Sequence, residues 1–309
     1  MSFISIVVPA YNESGNIEKL VKEVSEKLKD EIFEIIIVND GSTDNSLEII
    51  KSISKKNKRV KYLSFSRNFG HQAALRAGLK MAKGEAAISM DADLQHPPSL
   101  LPEIISMWRD GGYEVVFTVR KDTSETSLAK RVTSAIFYKV LNILSGLQMK
   151  EGAADFRLLD RKVLDIINSQ VESDIFLRGY ISWIGFKQIG IPYVPAKRFS
   201  GTSNYSLKKM LSLAGTGVTQ FSIKPLRLAF GLAMIALIAS FSYVIYAFII
   251  ALSGGAVSGW FSLVTLFVFL QGIQFLLLGL VGEYLGRTFM QTKYRPDYII
   301  SEGSVDDEK

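Results

Sequence analysis

The sequence has no cysteine and only two histidines, His71 and His96, among its 309 residues. The first absence excludes disulfides and thiolate metal sites and fits a reducing compartment. The second argues against a zinc centre built on imidazole. Charge is missing from one long block: no Asp, Glu, Lys or Arg occurs from Leu228 to Gly282. The positive mean hydropathy of +0.20 is therefore a local property of that block. A basic n-region is also lacking, because Met1 to Ala10 runs directly into Phe3-Ile4-Ser5-Ile6-Val7-Val8. No signal peptide is expected there, and the N-terminal part should stay in the cytoplasm.

What is present divides along the chain. Leu228 to Leu252 gives 25 uncharged residues and Phe261 to Gly282 gives 22 more. At about 1.5 Å per residue each exceeds a hydrocarbon core of about 30 Å, so two transmembrane helices are expected, against the alternative of a buried hairpin in a soluble core. Lys208, Lys209, Lys224 and Arg227 precede them, Arg287, Lys293 and Arg295 follow, and the connecting loop is uncharged. That asymmetry predicts a cell-membrane protein with both termini cytoplasmic. The formal net charge of +6 is concentrated nearby, at Lys197, Arg198, Lys208, Lys209, Lys224 and Arg227, with no acid between them. A basic stretch beside an apolar block suits anionic head groups or a phosphorylated lipid rather than nucleic acid. Tyr205 to Ile223 is read as an amphipathic helix on the membrane surface.

From residue 3 to about 120, β-branched runs alternate with helical patterns, which predicts an α/β fold with a parallel sheet. The expected strands are Phe3 to Val8, Phe33 to Val38, Val60 to Phe65, Glu85 to Met90 and Tyr113 to Val119. Between the first two, Ile17, Leu20, Val21, Val24 and Leu28 recur at helical spacing. Residues 125 to 225 are less regular and are read as extra helices with a strand or two around Phe186 to Val194. The expected division is a catalytic domain over 1–204, an interface region over 205–227, a hairpin over 228–286 and a cytoplasmic tail over 287–309.

Polar turns follow the early strands, where ligands of open α/β sheets collect. Asp91-Ala92-Asp93 places two carboxylates one residue apart, able to share a hard divalent cation such as Mg2+ or Mn2+; a pair of solvated turn aspartates is the alternative. Asp40, before Gly41-Ser42, could bind a ribose hydroxyl or base edge, or form an ordinary Asx turn. Glu13 could cap the following helix or reach a nucleoside, and Tyr11 could stack on a base. His71 reads as a helix start, and His96 as the entrance to the next helix, with support of the metal or ligation of it as alternatives.

Taken together, Val7-Val8-Pro9-Ala10-Tyr11-Asn12-Glu13, Val38-Asn39-Asp40-Gly41-Ser42-Thr43-Asp44, Arg67-Asn68-Phe69-Gly70 and Asp91-Ala92-Asp93-Leu94-Gln95-His96-Pro97-Pro98 resemble glycosyltransferase family 2. More narrowly the chain is similar to polyprenyl-phosphate glycosyltransferases, of the GtrB-type bactoprenol and dolichyl-phosphate mannose synthase kinds. The resemblance implies a Rossmann-like GT-A domain with a nucleotide-sugar donor, UDP-glucose first, then UDP-N-acetylglucosamine and GDP-mannose. The implied acceptor is polyprenyl (undecaprenyl) phosphate, attacked in an inverting displacement. Pro9, Tyr11, Glu13, Val38 and Asp40 would surround the nucleoside. Asp91, Ala92 and Asp93 would hold the diphosphate and metal, with Gln95 next in the motif. Ala154-Asp155-Phe156-Arg157 would bring Asp155 to the reaction centre, as a base, as an orienting or electrostatic group, or merely as a structural partner of Arg157. Arg198 begins a segment similar to the family's Arg-x-x-Gly-x-Ser-Lys-Tyr loop, with Asn204 at the lysine position, which leaves Arg198 to bind phosphate with Arg131 and Arg157. A homo-oligomer and a flippase partner are compatible with this reading. A catalytically silent membrane scaffold is the competing class.

Overall fold

Phe3–Ala10 (β1) and Ile32–Asn39 (β2) are almost wholly buried, the condition of strands covered by helices on both faces. In the computed structural model, residues 2–120, 138–147, 149–150, 152–170, 172, 175–194, 217–253 and 259–304 are described. They fall into two compact units, one drawn from 1–143, 147–213 and 295–309, the other from 144–146 and 214–294.

The first unit is built on an eight-stranded sheet. Its other strands are Val60–Phe65 (β3), Ala86–Ser89 (β4), Val115–Arg120 (β5), Ala153–Asp160 (β6), Gln188–Tyr193 (β7) and Ile300–Gly303 (β8), in the order β7-β5-β6-β4-β1-β2-β3-β8. Ile17–Lys27 (α1), Ser46–Lys56 (α2) and Leu101–Arg109 (α4) accompany a core containing Ile4, Ile6, Val8, Ile35 and Ile37. His71–Met81 (α3) packs on β1 and β2. Its Gly78 lies so close that a Cβ there would stand 2.3 Å from Val7 Cγ1. The sheet order turns between β1 and β4, both parallel to each other, and such a reversal opens a crevice at the strands' carboxyl ends.

The five expected strands are present, but the sheet is mixed rather than parallel. β6 runs antiparallel between β4 and β5. Because it runs backwards, its early residues Asp155 and Arg157 lie beside Ser89, at the carboxyl end of β4. Arg161–Asn168 (α5) and Leu177–Ile184 (α6) follow. A strand at Gln188–Tyr193 answers the expectation near 186–194.

The expected tail over 287–309 also differs. Residues 295–304 belong to the sheet unit, where β8 pairs antiparallel with β3. In the second unit the apolar helices are longer than expected, Lys224–Leu252 (α7) and Trp260–Gln291 (α8). By length and composition both can cross a bilayer. Phe230, Ile238, Phe248, Phe267 and Phe275 are exposed on them, a surface that water does not favour. The interface helix expected over 205–223 falls mostly outside the described residues.

One buried charge ties the sheet together. Glu34 in β2 accepts from Ser5 Oγ (2.7 Å), Lys83 N–H (3.0 Å) and Lys61 Nζ (2.6 Å), joining β1, β2, β3 and the turn before β4. Burial opposes its charge, but Lys61, Ser5 and the Lys83 amide outweigh it and hold the carboxyl below its ordinary range. Glu34→Ala is expected to cost about 3 kcal/mol, because it leaves buried donors unpaired. Since the folded pKa is depressed, this stabilisation is present above the unfolded glutamate pKa and lost as pH falls through the folded value. Thermal unfolding of Glu34→Ala and the parent chain from pH 7 to pH 3 should show the gap closing toward acid.

Candidate active site

The crevice at the β1/β4 junction is a cleft of about 250 Å³, lined by residues that include Pro9, Tyr11, Glu13, Asp40, His71 and Asp91. Ala92 and Asp93 line it as well. The first two strand-end loops interlock. Asn12 N–H donates to Ser42 Oγ (3.0 Å), Glu13 N–H to Ser46 Oγ (2.8 Å) and Thr43 N–H to Asn12 Oδ1 (2.8 Å). Gly41 has φ +64°, and a Cβ on it would meet the Arg67 carbonyl carbon at 2.3 Å. Only glycine satisfies both the backbone angle and that approach.

Asp40 is 3% exposed. Its carboxylate accepts from Phe69 N–H (2.7 Å) and Gly70 N–H (2.9 Å), so it clamps the loop after β3 onto the loop after β2. Burial pushes this carboxyl up from its ordinary value, and the two amides offset only part of that. Each oxygen retains a lone pair for a ligand hydroxyl or base N–H.

The Asp91-Ala92-Asp93 turn is held from behind. Asp91 N–H donates to His96 Nδ1 (3.0 Å), and His96 Nε2 stands 3.6 Å from Asp91 Oδ2. The His96 ring is buried and stacks on Phe156 at 5.1 Å. Gln95 N–H donates to Asp93 Oδ1 (3.1 Å). No group of three or more His, Asp or Glu converges as a metal cage among the described residues. Two carboxylates on one loop nevertheless fit Mg2+ or Mn2+, which take their remaining oxygens from water and phosphates.

Beyond the turn lies a second charged cluster. Asp155 receives Arg178 in a two-pronged pair, Nε to Oδ1 at 2.9 Å and Nη2 to Oδ2 at 2.7 Å. Arg157 Nη2 is 3.5 Å from Oδ1. His71 Nε2 lies 3.7 Å from Asp155 Oδ2 and 3.7 Å from Asp91 Oδ1, bridging the clusters. Burial disfavours ionised Asp155, yet Arg178, His71 and Arg157 hold its carboxyl well below the usual range. Enclosure also works against the His71 charge, but Asp155 and Asp91 prevail and push its pKa up to about 9. Arg157 is 5% exposed and moves the other way: burial lowers it to about 10, Asp155 opposing and Arg178 adding to the fall. Its Nε has no hydrogen-bond partner among the described residues. Arg157, Arg178 and Lys150 line a second cavity of about 290 Å³.

Of the sequence-based candidates, Pro9, Tyr11, Glu13, Asp40, Asp91, Ala92 and Asp93 meet in the first cleft, and Asp155 adjoins it through His71. Val38 does not line it: its side chain is buried in the sheet against α3. Gln95 does not line it either. Arg131 and Arg198 lie outside the described residues. Arg178 and the bridging place of His71 were not anticipated. A signal for Arg178 exists, since it is the lone charge in Ile175-Phe176-Leu177-Arg178-Gly179-Tyr180-Ile181, and a basic residue in a buried run requires an acid.

Comparison with known proteins bears on this geometry. A model described as glycosyl transferase family 2 matches residues 5–167, and one described as the GtrB C-terminal hairpin matches 224–288. The chain is 42% identical over 302 residues to glycosyltransferase YkcC of Bacillus subtilis strain 168, covering 96% of this chain and 93% of that one. It is 39% identical over 300 residues to the bactoprenol glucosyl transferase of Shigella phage SfV, covering 96% and 97%. Among solved structures it is similar to the mannosyltransferase PcManGT from Pyrobaculum calidifontis, in complex with GDP-Man and Mn2+. That likeness has TM-score 0.50 at 18% identity, covers 96% of this chain and 86% of the other, and concerns the GT-A-like fold alone.

Replacing Arg178 with Met removes the two-pronged partner of a buried carboxylate and is expected to cost about 3 kcal/mol at neutral pH. The folded pKa of Asp155 is depressed, so the pair stabilises above the unfolded carboxyl pKa and ceases to do so as pH falls through the folded one. Thermal unfolding in detergent should show the deficit shrinking with acidification. A deficit independent of pH would mean that Arg178 contributes packing only.

Proposed function

The chain belongs to glycosyltransferase family 2, and from that premise we propose that it moves a hexose from a nucleoside diphosphate to a polyprenyl phosphate at the cytoplasmic membrane face. The observation that carries this is the similarity to bactoprenol glucosyl transferases over 96% of the chain, together with the match of its apolar hairpin. UDP-glucose is the donor proposed first, because the SfV relative's name specifies glucosyl transfer.

The donor lies in the first cleft, its nucleoside toward Tyr11, Glu13 and Asp40, its diphosphate toward Asp91 and Asp93. Asp91 and Asp93 would hold a Mg2+ or Mn2+, which would offset diphosphate charge. An acceptor phosphate oxygen attacks the anomeric carbon on the face opposite the leaving group. The bond from that carbon to the diphosphate oxygen breaks, and its electron pair departs with the nucleoside diphosphate, inverting the centre. No proton has to be removed, because a phosphate monoester, with a second pKa of about 6, is largely ionised at neutral pH.

Asp155 accordingly acts as an orienting and electrostatic group rather than a base. Both its oxygens are engaged by Arg178 and its carboxyl is held well below the usual range, so it accepts a proton poorly. Through these pairs it orients Arg178 and the cleft-lining His71. The acceptor phosphate meets Arg157, Arg178 and Lys150, which line the second cavity with positive charge. Arg131 and Arg198 are assigned to the same phosphate from the family resemblance.

Membrane placement rests on chain connectivity and charge. Segments before and after the hairpin belong to one unit, which suits two crossings with both ends on one face. Lys224, Arg227, Arg287, Lys293 and Arg295 at those ends make that face cytoplasmic.

The test is transfer by purified full-length protein in detergent, with polyprenyl phosphate, Mn2+ and labelled UDP-glucose, UDP-N-acetylglucosamine or GDP-mannose in turn. UDP-glucose should give lipid-linked product, and Asp93→Ala should lower turnover at least about 100-fold. Arg157→Gln should raise the KM for lipid phosphate about tenfold, the worth of one charge-assisted hydrogen bond. Product from none of the three donors would leave the scaffold reading standing instead.

A further inference from the structure

The chain segment that follows the second apolar helix reaches the wall of the donor cleft. Tyr298 stacks on Phe65, the last residue of β3, with ring centroids 4.9 Å apart and planes 12° from parallel. Phe65 in turn meets Phe69 edge-on at 5.7 Å. The Phe69 N–H is one of the two amides that bind Asp40. One residue earlier, Asp297 pairs with Arg76 of α3. Arg76 also donates to the carbonyls of Gln170 and Glu172, at 2.6 Å each, and α3 begins with His71. Asn68, Gly70, His71 and Ala74, which form one wall of the cleft, thus stand on a loop and a helix that residues 297 and 298 hold from outside.

The backbone reinforces this hold. Ser66 N–H donates to Ile299 O (3.0 Å), Tyr62 N–H to Ser304 Oγ (2.8 Å) and Ser301 Oγ to Ser64 O (2.9 Å). Lys51 and Glu302 pair at 2.8 Å. The loop of residues 66–70 has no helix or strand of its own. Its position depends on Asp40 on one side and on the Phe65–Tyr298 stack on the other. Aromatic pairs of this kind contribute orientation as well as burial.

We propose that Tyr298 and Asp297 are positioning residues for the donor: they act through Phe65, Phe69 and Arg76 to set the wall of the cleft that receives the nucleotide. This rests on reading that cleft as the donor's, and goes beyond it by giving the C-terminal segment a part in donor affinity.

Full-length protein in detergent is titrated with UDP, and the parent also with GDP, in the presence of Mn2+, and steady-state transfer is then measured against each substrate. Tyr298→Ala and Asp297→Asn should each weaken UDP binding and raise the donor KM about fivefold, with the lipid-phosphate KM and kcat nearly unchanged. Tyr298→Phe keeps the ring and should restore the parent value. Glu34→Ala serves as the control for general destabilisation, since Glu34 lies near the start of β2, away from the cleft. It should lower the unfolding temperature at least as much without moving the donor KM. If Tyr298→Ala does not fold, Asp297→Asn carries the comparison. Parental binding and KM in Tyr298→Ala, or a rise matched by Glu34→Ala, would overturn the proposal. If the parent protein itself binds neither UDP nor GDP, the donor reading fails and this inference with it.

Discussion

An ionised carboxylate withdrawn from water is unstable by several kcal/mol unless cations and hydrogen bonds surround it. Asp155 is such a group, with 11% of its side chain exposed, and much of the molecule is arranged to meet its requirement. β6 must run antiparallel for Asp155 and Arg157 to arrive beside β4. α6 must deliver Arg178, and α3 must begin where His71 can reach both Asp155 and Asp91. Break the charge balance at this point and three elements lose the reason for their relative placement.

The same constraint divides the site by sign. Acids line the cleft, where Glu13, Asp40, Asp91 and Asp93 stand, while Arg157, Arg178 and Lys150 line the neighbouring cavity. Asp155 and His71 lie at the boundary as an anion and a cation. Such an arrangement suits two phosphorylated substrates that must approach without repelling one another. In the proposed function one would bring its charge to the Asp91 and Asp93 carboxylates with a divalent cation, and the other to guanidinium groups. The proposed transfer requires no base, and Asp155 is paired on both oxygens.

Much of this was legible in the sequence because it is periodic or local. The five early strands, the face of α1 and the charge-free hairpin announce themselves by apolar spacing. The loops that converge on the cleft carry the glycine and short polar residues that such turns need. What escaped was whatever depends on distant partners. In β6 the alternation is present, Phe156 and Leu158 buried and Asp155 and Arg157 on the other face, but three charges in eight residues make it read as a polar segment. β8 consists of Ile300-Ser301-Glu302-Gly303 and has no apolar pattern to find; edge pairing and the Tyr298 stack hold it. Asp40 gave a sound indication of a cleft residue, but its clamp on Phe69 and Gly70 depends on a loop 29 residues away, which spacing does not disclose.

The strand order also bears on biosynthesis. β8 follows α7 and α8 in the chain, so both helices leave the ribosome before it. Until then the outer edge of β3 offers its amide and carbonyl groups without a covering strand, a state that invites association with other chains. The sheet can therefore close only after the apolar hairpin has been made. Maturation of the water-facing domain is thereby scheduled behind synthesis of its two long helices, so that a chain arrested before them retains an unfinished and adhesive edge.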